Sequence, residues 1–121
     1  MDRSALILFA HGARDPNWAA PFERILDRVR DAAPERAPML AFLELMTPDL
    51  PTAIAQQAER GFHAVRIVPL FLGAGGHLRN DLPRIVAVER TRHAGMSIEL
   101  SGPAGEDEGV MAAIAQYSLI R

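Results

Sequence analysis

Two histidines and a glutamate carry the chemistry this sequence can offer. His11 follows the apolar run 4–10, His77 closes the glycine-rich stretch 73–77, and Glu44 sits within the apolar stretch 42–46 (FLELM), where an ionised carboxylate is costly without a partner. Two imidazoles and a carboxylate form a nitrogen and oxygen donor set suited to a divalent first-row metal such as Co²⁺, Fe²⁺, Ni²⁺ or Zn²⁺. A neutral imidazole can also accept a proton near neutral pH. Singly, each residue has a plainer role. A histidine after a strand commonly serves a turn or is satisfied by backbone, and a glutamate on an edge strand can face water.

The elements around these residues raise all three together. Residues 4–10 (SALILFA) read as a buried strand ended by the turn signal His11-Gly12. Residues 16–33 place Phe22, Ile25, Leu26, Val29, Ala32 and Ala33 at helical spacing. Residues 39–45 (MLAFLEL) form a second strand. Thr47-Pro48 opens a second helix, with the hydroxyl as cap and Pro at the first helical position, and Gly61 ends it. Residues 63–72 (HAVRIVPLFL) are a third strand in spite of Pro69, and 73–77 (GAGGH) a loop. A third helix starts at Asn80 or Asp81, 96–100 is a fourth strand, and 107–120 a last helix carrying Val110, Met111, Ile114 and Tyr117.

This βαβαβαβα order requires a parallel sheet between helices, an α/β three-layer arrangement in one domain over 1–121. Right-handed crossovers favour the strand order 2-1-3-4. The crevice then opens beyond the carboxyl ends of strands 1 and 3, where the connection reverses. His11 and His77 leave these neighbouring strands, ~4.8 Å apart, and Glu44 comes from strand 2 on the other side of strand 1. His63 lies at the opposite edge and His93 at a helix end, where its charge suits the dipole; both are read as structural.

Composition removes several rival chemistries. The chain has 121 residues and no cysteine, so disulfides, thiolate metal sites and cysteine nucleophiles are excluded. All 13 basic residues are arginine, which excludes Schiff-base lysine chemistry and a P-loop lysine. A net charge of −2 argues against unspecific nucleic-acid binding. No apolar stretch approaches the ~20 residues of a membrane helix, and Met1-Asp2-Arg3-Ser4 lacks the marks of a secretory leader, so a cytoplasmic protein is expected. The stretch Gly73-Ala74-Gly75-Gly76 fails the dinucleotide fingerprint, because Leu78 stands where its third glycine would be. Gly75 and Gly76 instead let backbone approach a bulky ligand, or give mobility. Arg14 and Arg79 follow the two rim histidines closely and suit the carboxylates of an acidic ligand, although a surface arginine needs no partner but water.

With those residues in place, the sequence resembles the class II tetrapyrrole chelatases, specifically the small single-domain sirohydrochlorin chelatases of the CbiX type. The matching stretches are 8–16 (LFAHGARDP), 42–48 (FLELMTP) and 68–83 (VPLFLGAGGHLRNDLP), in the family's order along most of the chain. Ala13 stands where the family pattern usually has Ser. The resemblance implies a chelatase-like fold, metal binding by His11, Glu44 and His77, and a homodimer whose facing clefts enclose the macrocycle. It also implies a lyase-type insertion of Co²⁺, Fe²⁺ or Ni²⁺ into sirohydrochlorin, for cobalamin or sirohaem synthesis, with the metal as substrate and no organic cofactor. Insertion requires the ion to shed water and the ring to lose its pyrrole protons. An open site with few protein ligands can hold an ion and release it. His11 and His77 are the expected metal holders and proton acceptors, Glu44 a ligand or the group that polarises them, and Arg14 and Arg79 the grips on the carboxylated rim. Two rivals remain: a metal or tetrapyrrole carrier using the same crevice, and a flavodoxin-like binder of an anion.

Overall fold

A computed structural model of the chain describes residues 3–73 and 75–120. Four strands, β1 (Ala5–Ala10), β2 (Met39–Phe42), β3 (Ala64–Pro69) and β4 (Ser97–Leu100), alternate with four helices, α1 (Ala20–Ala32), α2 (Leu50–Glu59), α3 (Gly76–Arg92) and α4 (Glu108–Ser118). All strand pairs are parallel and the sheet order is β2-β1-β3-β4, the expected topology.

Burial explains the register. Every residue of β1 is buried, as its unbroken apolar run requires of a central parallel strand. Ala5, Ile7 and Phe9 face the main core with Leu50 and Ile54 of α2, Leu82 and Val86 of α3, and Val65 and Ile67 of β3. The alternate residues Leu6 and Leu8 are buried on the other side, where α1 packs near β2. Pro69 is the last residue of β3, where a missing amide costs the ladder little. The helix before β3 ends as expected, with Gly61 at φ +93 just past α2.

Several boundaries differ from the expectation. Residues 16–33 divide into a 3₁₀ turn (Pro16–Ala19) and α1, with Asp15 accepting from the Asn17 amide at 2.9 Å. The cap of α2 is Asp49, whose carboxylate accepts from the Thr52 amide at 2.9 Å, and Pro51 rather than Pro48 lies in its first turn. The Thr47–Pro48 bond is cis, outside the helix. β2 stops at Phe42, because the Phe42 amide donates to the Pro48 carbonyl at 2.9 Å and the chain turns away. α3 begins at Gly76, a full turn earlier than Asn80 or Asp81, with Gly75 as a cap that offers no side chain. Part of the expected 73–77 loop is therefore helix, and Ala74 lies outside the described residues.

The last helix forms where expected, yet buries none of its residues. Met111 is 44%, Ile114 41% and Tyr117 77% exposed, because α4 packs on the 3₁₀ turn Ala104–Glu106. Among the described residues no helix is long and apolar enough to cross a membrane.

Candidate metal and tetrapyrrole site

The carboxyl edge of the sheet assembles the first half of the site. β1 delivers His11 to the rim, and two backbone bonds tie the segment after β2 alongside it: Leu43 N–H to Ala10 O at 3.0 Å and Glu44 N–H to His11 O at 3.2 Å. Gly12 makes this approach possible. Its φ is +95, and a Cβ there would overlap the Glu44 carbonyl oxygen. The result is a side-chain contact between His11 Nε2 and Glu44 Oε1 at 3.3 Å.

Both side chains in this pair are about half exposed, at 49% and 57%. An exposed pair contributes little to stability, so the contact is better understood as two donors held next to solvent. That exposure corrects the expectation for Glu44. It does not sit in an apolar strand needing a compensating charge; it lies two residues past the end of β2, where the chain has turned into water.

His77 leaves the neighbouring strand by a longer route. His77 stands in the first turn of α3, the helix that follows β3, and is exposed. Among the described residues no three His, Cys, Asp or Glu side chains are gathered closely enough to hold a metal ion. The structure thus joins His11 to Glu44 and leaves His77 apart on the same edge. Gly75 and Gly76 at the start of α3 have open space where a Cβ would be, consistent with room for a ligand.

The two arginines differ. Arg14 is exposed in the segment after β1, next to the Asp15 cap. Arg79 lies on α3, where its amide donates to the Gly75 carbonyl at 2.9 Å, and it lines a cavity of about 400 Å³ with Phe71, Leu78, Leu82, Leu100 and Glu106. His63 stands at the amino edge of the sheet, as expected. His93 at the end of α3 lies 3.7 Å from Glu89, a carboxylate that is almost wholly buried, so its role is structural.

Sequence reasoning took Gly12 only as a turn signal. Its φ of +95 suits that turn, but its contact with Glu44, 32 positions away, has no local trace in the sequence.

A parallel sheet of order 2-1-3-4 with an imidazole and a carboxylate paired at its carboxyl edge can now be set beside known proteins. The CbiX family model matches residues 5–118. The chain belongs to the CbiX family. Over 85 residues it is 31% identical to the sirohydrochlorin cobaltochelatase of Methanopyrus kandleri, a match covering 70% of this chain and 59% of that protein's length. The chain therefore spans less than two thirds of that relative. Against the sirohydrochlorin cobaltochelatase of Saccharolobus solfataricus it is 27% identical over 114 residues, covering 87% of this chain and 85% of the other. Among solved structures, a putative cobalamin biosynthesis CbiX protein from Marinobacter aquaeolei superposes with a TM-score of 0.85 at 31% identity, covering 95% of this chain and 93% of that one. Membership of the CbiX family accounts for the fold, which the Marinobacter protein shares over nearly its full length.

Proposed function

We propose that this CbiX-family chain is a sirohydrochlorin metallochelatase that inserts Co²⁺ into the tetrapyrrole, with the metal as substrate and no organic cofactor. The observation that carries the reading is the His11–Glu44 pair, two exposed donors held 3.3 Å apart at the crevice edge of a chelatase sheet. The names of the relatives in M. kandleri and S. solfataricus support both the reaction and the metal.

Two protein donors hold an ion without closing its coordination sphere, so incoming pyrrole nitrogens can replace water and then the protein. His11 and Glu44 take the hydrated ion. His77 joins from the start of α3 as a further metal holder or as acceptor for a pyrrole proton. Arg14 and Arg79 engage carboxylates on the rim of the macrocycle, and Gly75 and Gly76 admit it close to the backbone. The chain works as one domain over 1–121, in the cytoplasm, as a homodimer whose facing clefts enclose the ring. Fe²⁺ or Ni²⁺ insertion, and a place in sirohaem as well as cobalamin synthesis, belong to the same proposal.

An anaerobic assay with sirohydrochlorin, following the ring's absorbance with Co²⁺, Fe²⁺ and Ni²⁺ side by side, tests it. Insertion of Co²⁺ well above the uncatalysed rate is the expected result. Binding of metal and ring with no acceleration would make the protein a carrier. Sedimentation of the same sample tests the dimer.

A further inference from the structure

We infer that Leu45 and Leu72 are apolar contacts for the macrocycle, set on either side of His11; this rests on the reading that the chain binds a tetrapyrrole. Leu45 is 58% and Leu72 74% exposed. A single exposed leucine needs no explanation. These two stand out because the main chain beneath each is fixed while the side chain is left in water.

Leu45 follows the donor Glu44 directly and has φ +66, a left-handed conformation that costs a leucine free energy and persists where the surroundings enforce it. The enforcement is visible on its N-terminal side, where the Glu44 amide is bonded to the His11 carbonyl and the Glu44 carbonyl packs on Gly12. Leu72 is held from behind by the 3₁₀ turn after β4. The Gly105 amide donates to the Phe71 carbonyl at 2.7 Å, and a Cβ at position 105 would overlap the Leu72 Cα and carbonyl. Only glycine allows that approach.

Their placement fits a flat apolar ligand. Leu45 follows β2 and Leu72 follows β3, with β1 and His11 between them. Two strand spacings separate these exits, about 10 Å, a span comparable with a tetrapyrrole core. A macrocycle lying over the donor pair would cover both leucines, and their burial would offset the cost of the strained backbone at Leu45.

The test uses Leu45→Ser and Leu72→Ser, singly and combined, beside the unaltered protein. Metal-free sirohydrochlorin is titrated by absorbance, Co²⁺ binding is followed by calorimetry, and thermal melting is recorded. Each substitution is expected to weaken tetrapyrrole binding about tenfold, as loss of one buried leucine contact would. Co²⁺ affinity and Tm should stay unchanged. Gly105→Ala, which displaces Leu72 without altering its side chain, should weaken tetrapyrrole binding in the same direction. Unchanged affinity in both serine variants overturns the inference. So does a loss of sedimenting mass with no loss of tetrapyrrole affinity, which would assign the leucines to a contact between copies. If the unaltered protein binds no sirohydrochlorin, the metallochelatase reading itself falls and takes this inference with it.

Discussion

His11 and His77 leave adjacent strands of one sheet, yet the structure supports them very differently. The His11 arm is built from long-range contacts. Its strand is buried throughout, its carbonyl accepts the Glu44 amide, Gly12 packs on Glu44, and Asp49 caps the helix that follows. The His77 arm relies on local structure. It enters α3 through Gly75, which supplies no capping side chain, and the helix carries Pro83, a residue with no amide to give to the helical ladder. One arm presents two donors already in contact; the other presents a single exposed imidazole on a less constrained helix start. Under the proposed function that asymmetry would let the site hold an ion and then give it up, because a fully assembled set of ligands would retain it.

The largest expected effects separate the arms directly. His11→Ala and His77→Ala should each lower insertion about a hundredfold or more, as loss of a positioned ligand or proton acceptor does. Binding of Co²⁺ in the absence of tetrapyrrole, read by calorimetry, should suffer far more from His11→Ala than from His77→Ala. Equal losses of Co²⁺ affinity would show that the arms act as one preassembled site. Both variants should melt close to the unaltered protein, since these exposed side chains contribute little to the core.

Next in size is Gly12→Ala. A left-handed φ together with the overlap on the Glu44 carbonyl should cost about 1–3 kcal/mol, measured by urea denaturation, and should reduce Co²⁺ binding as the pair is pushed apart. Retained stability and binding would mean that the His11 arm is looser than its contacts indicate.

Asp49→Ala should cost about 1 kcal/mol, the usual value for a lost N-cap. The Asp49 carboxyl is held below its ordinary 3.8 chiefly by hydrogen bonding to Thr52. A depressed carboxylate contributes stability that is present above the ordinary value and is lost as the pH falls through the folded value, so this contribution disappears in acid. Solvent screening at this exposed position keeps it small. Denaturation at neutral pH and again in acid checks both statements, since the variant should lose that part of the acid dependence.

The smallest effect tests the weaker arm. Gly75 has an extended backbone, φ −68 and ψ 169, and open space where a Cβ would lie. Gly75→Ser should therefore add a capping hydroxyl and stabilise the start of α3 by a few tenths of a kcal/mol. Slower hydrogen exchange of the His77 or Leu78 amide, the donors such a hydroxyl would accept from, would record it, and unchanged exchange would mean that this turn is already firmly held.

Much of the frame was legible because its signals are local. Apolar runs marked the four strands, and their alternation with helical spacing required a parallel sheet. Errors arose where local signals competed. Thr47-Pro48 offers a hydroxyl and a proline suited to a helix start, but Asp49 with Pro51 does the same two to three residues later, and the Phe42 amide donates to the Pro48 carbonyl outside the helix. The start of α3 was misplaced because Gly75 has no side chain to announce a cap. The apolar spacing of 107–120 correctly gave a helix, but periodicity shows that a face is apolar, and says nothing about whether anything covers it.

Residue types, their spacing and the order of elements were determined by the amino-acid sequence alone, because hydrophobic period and turn residues act over a few positions at a time, and crossover handedness then follows from the order of the elements. Which donors meet was decided only in three dimensions. His11 reaches Glu44 through strand pairing and the missing side chain of Gly12, whereas His77 stands in the first turn of α3 outside that pair, and contacts between distant positions depend on packing that no short stretch of sequence contains.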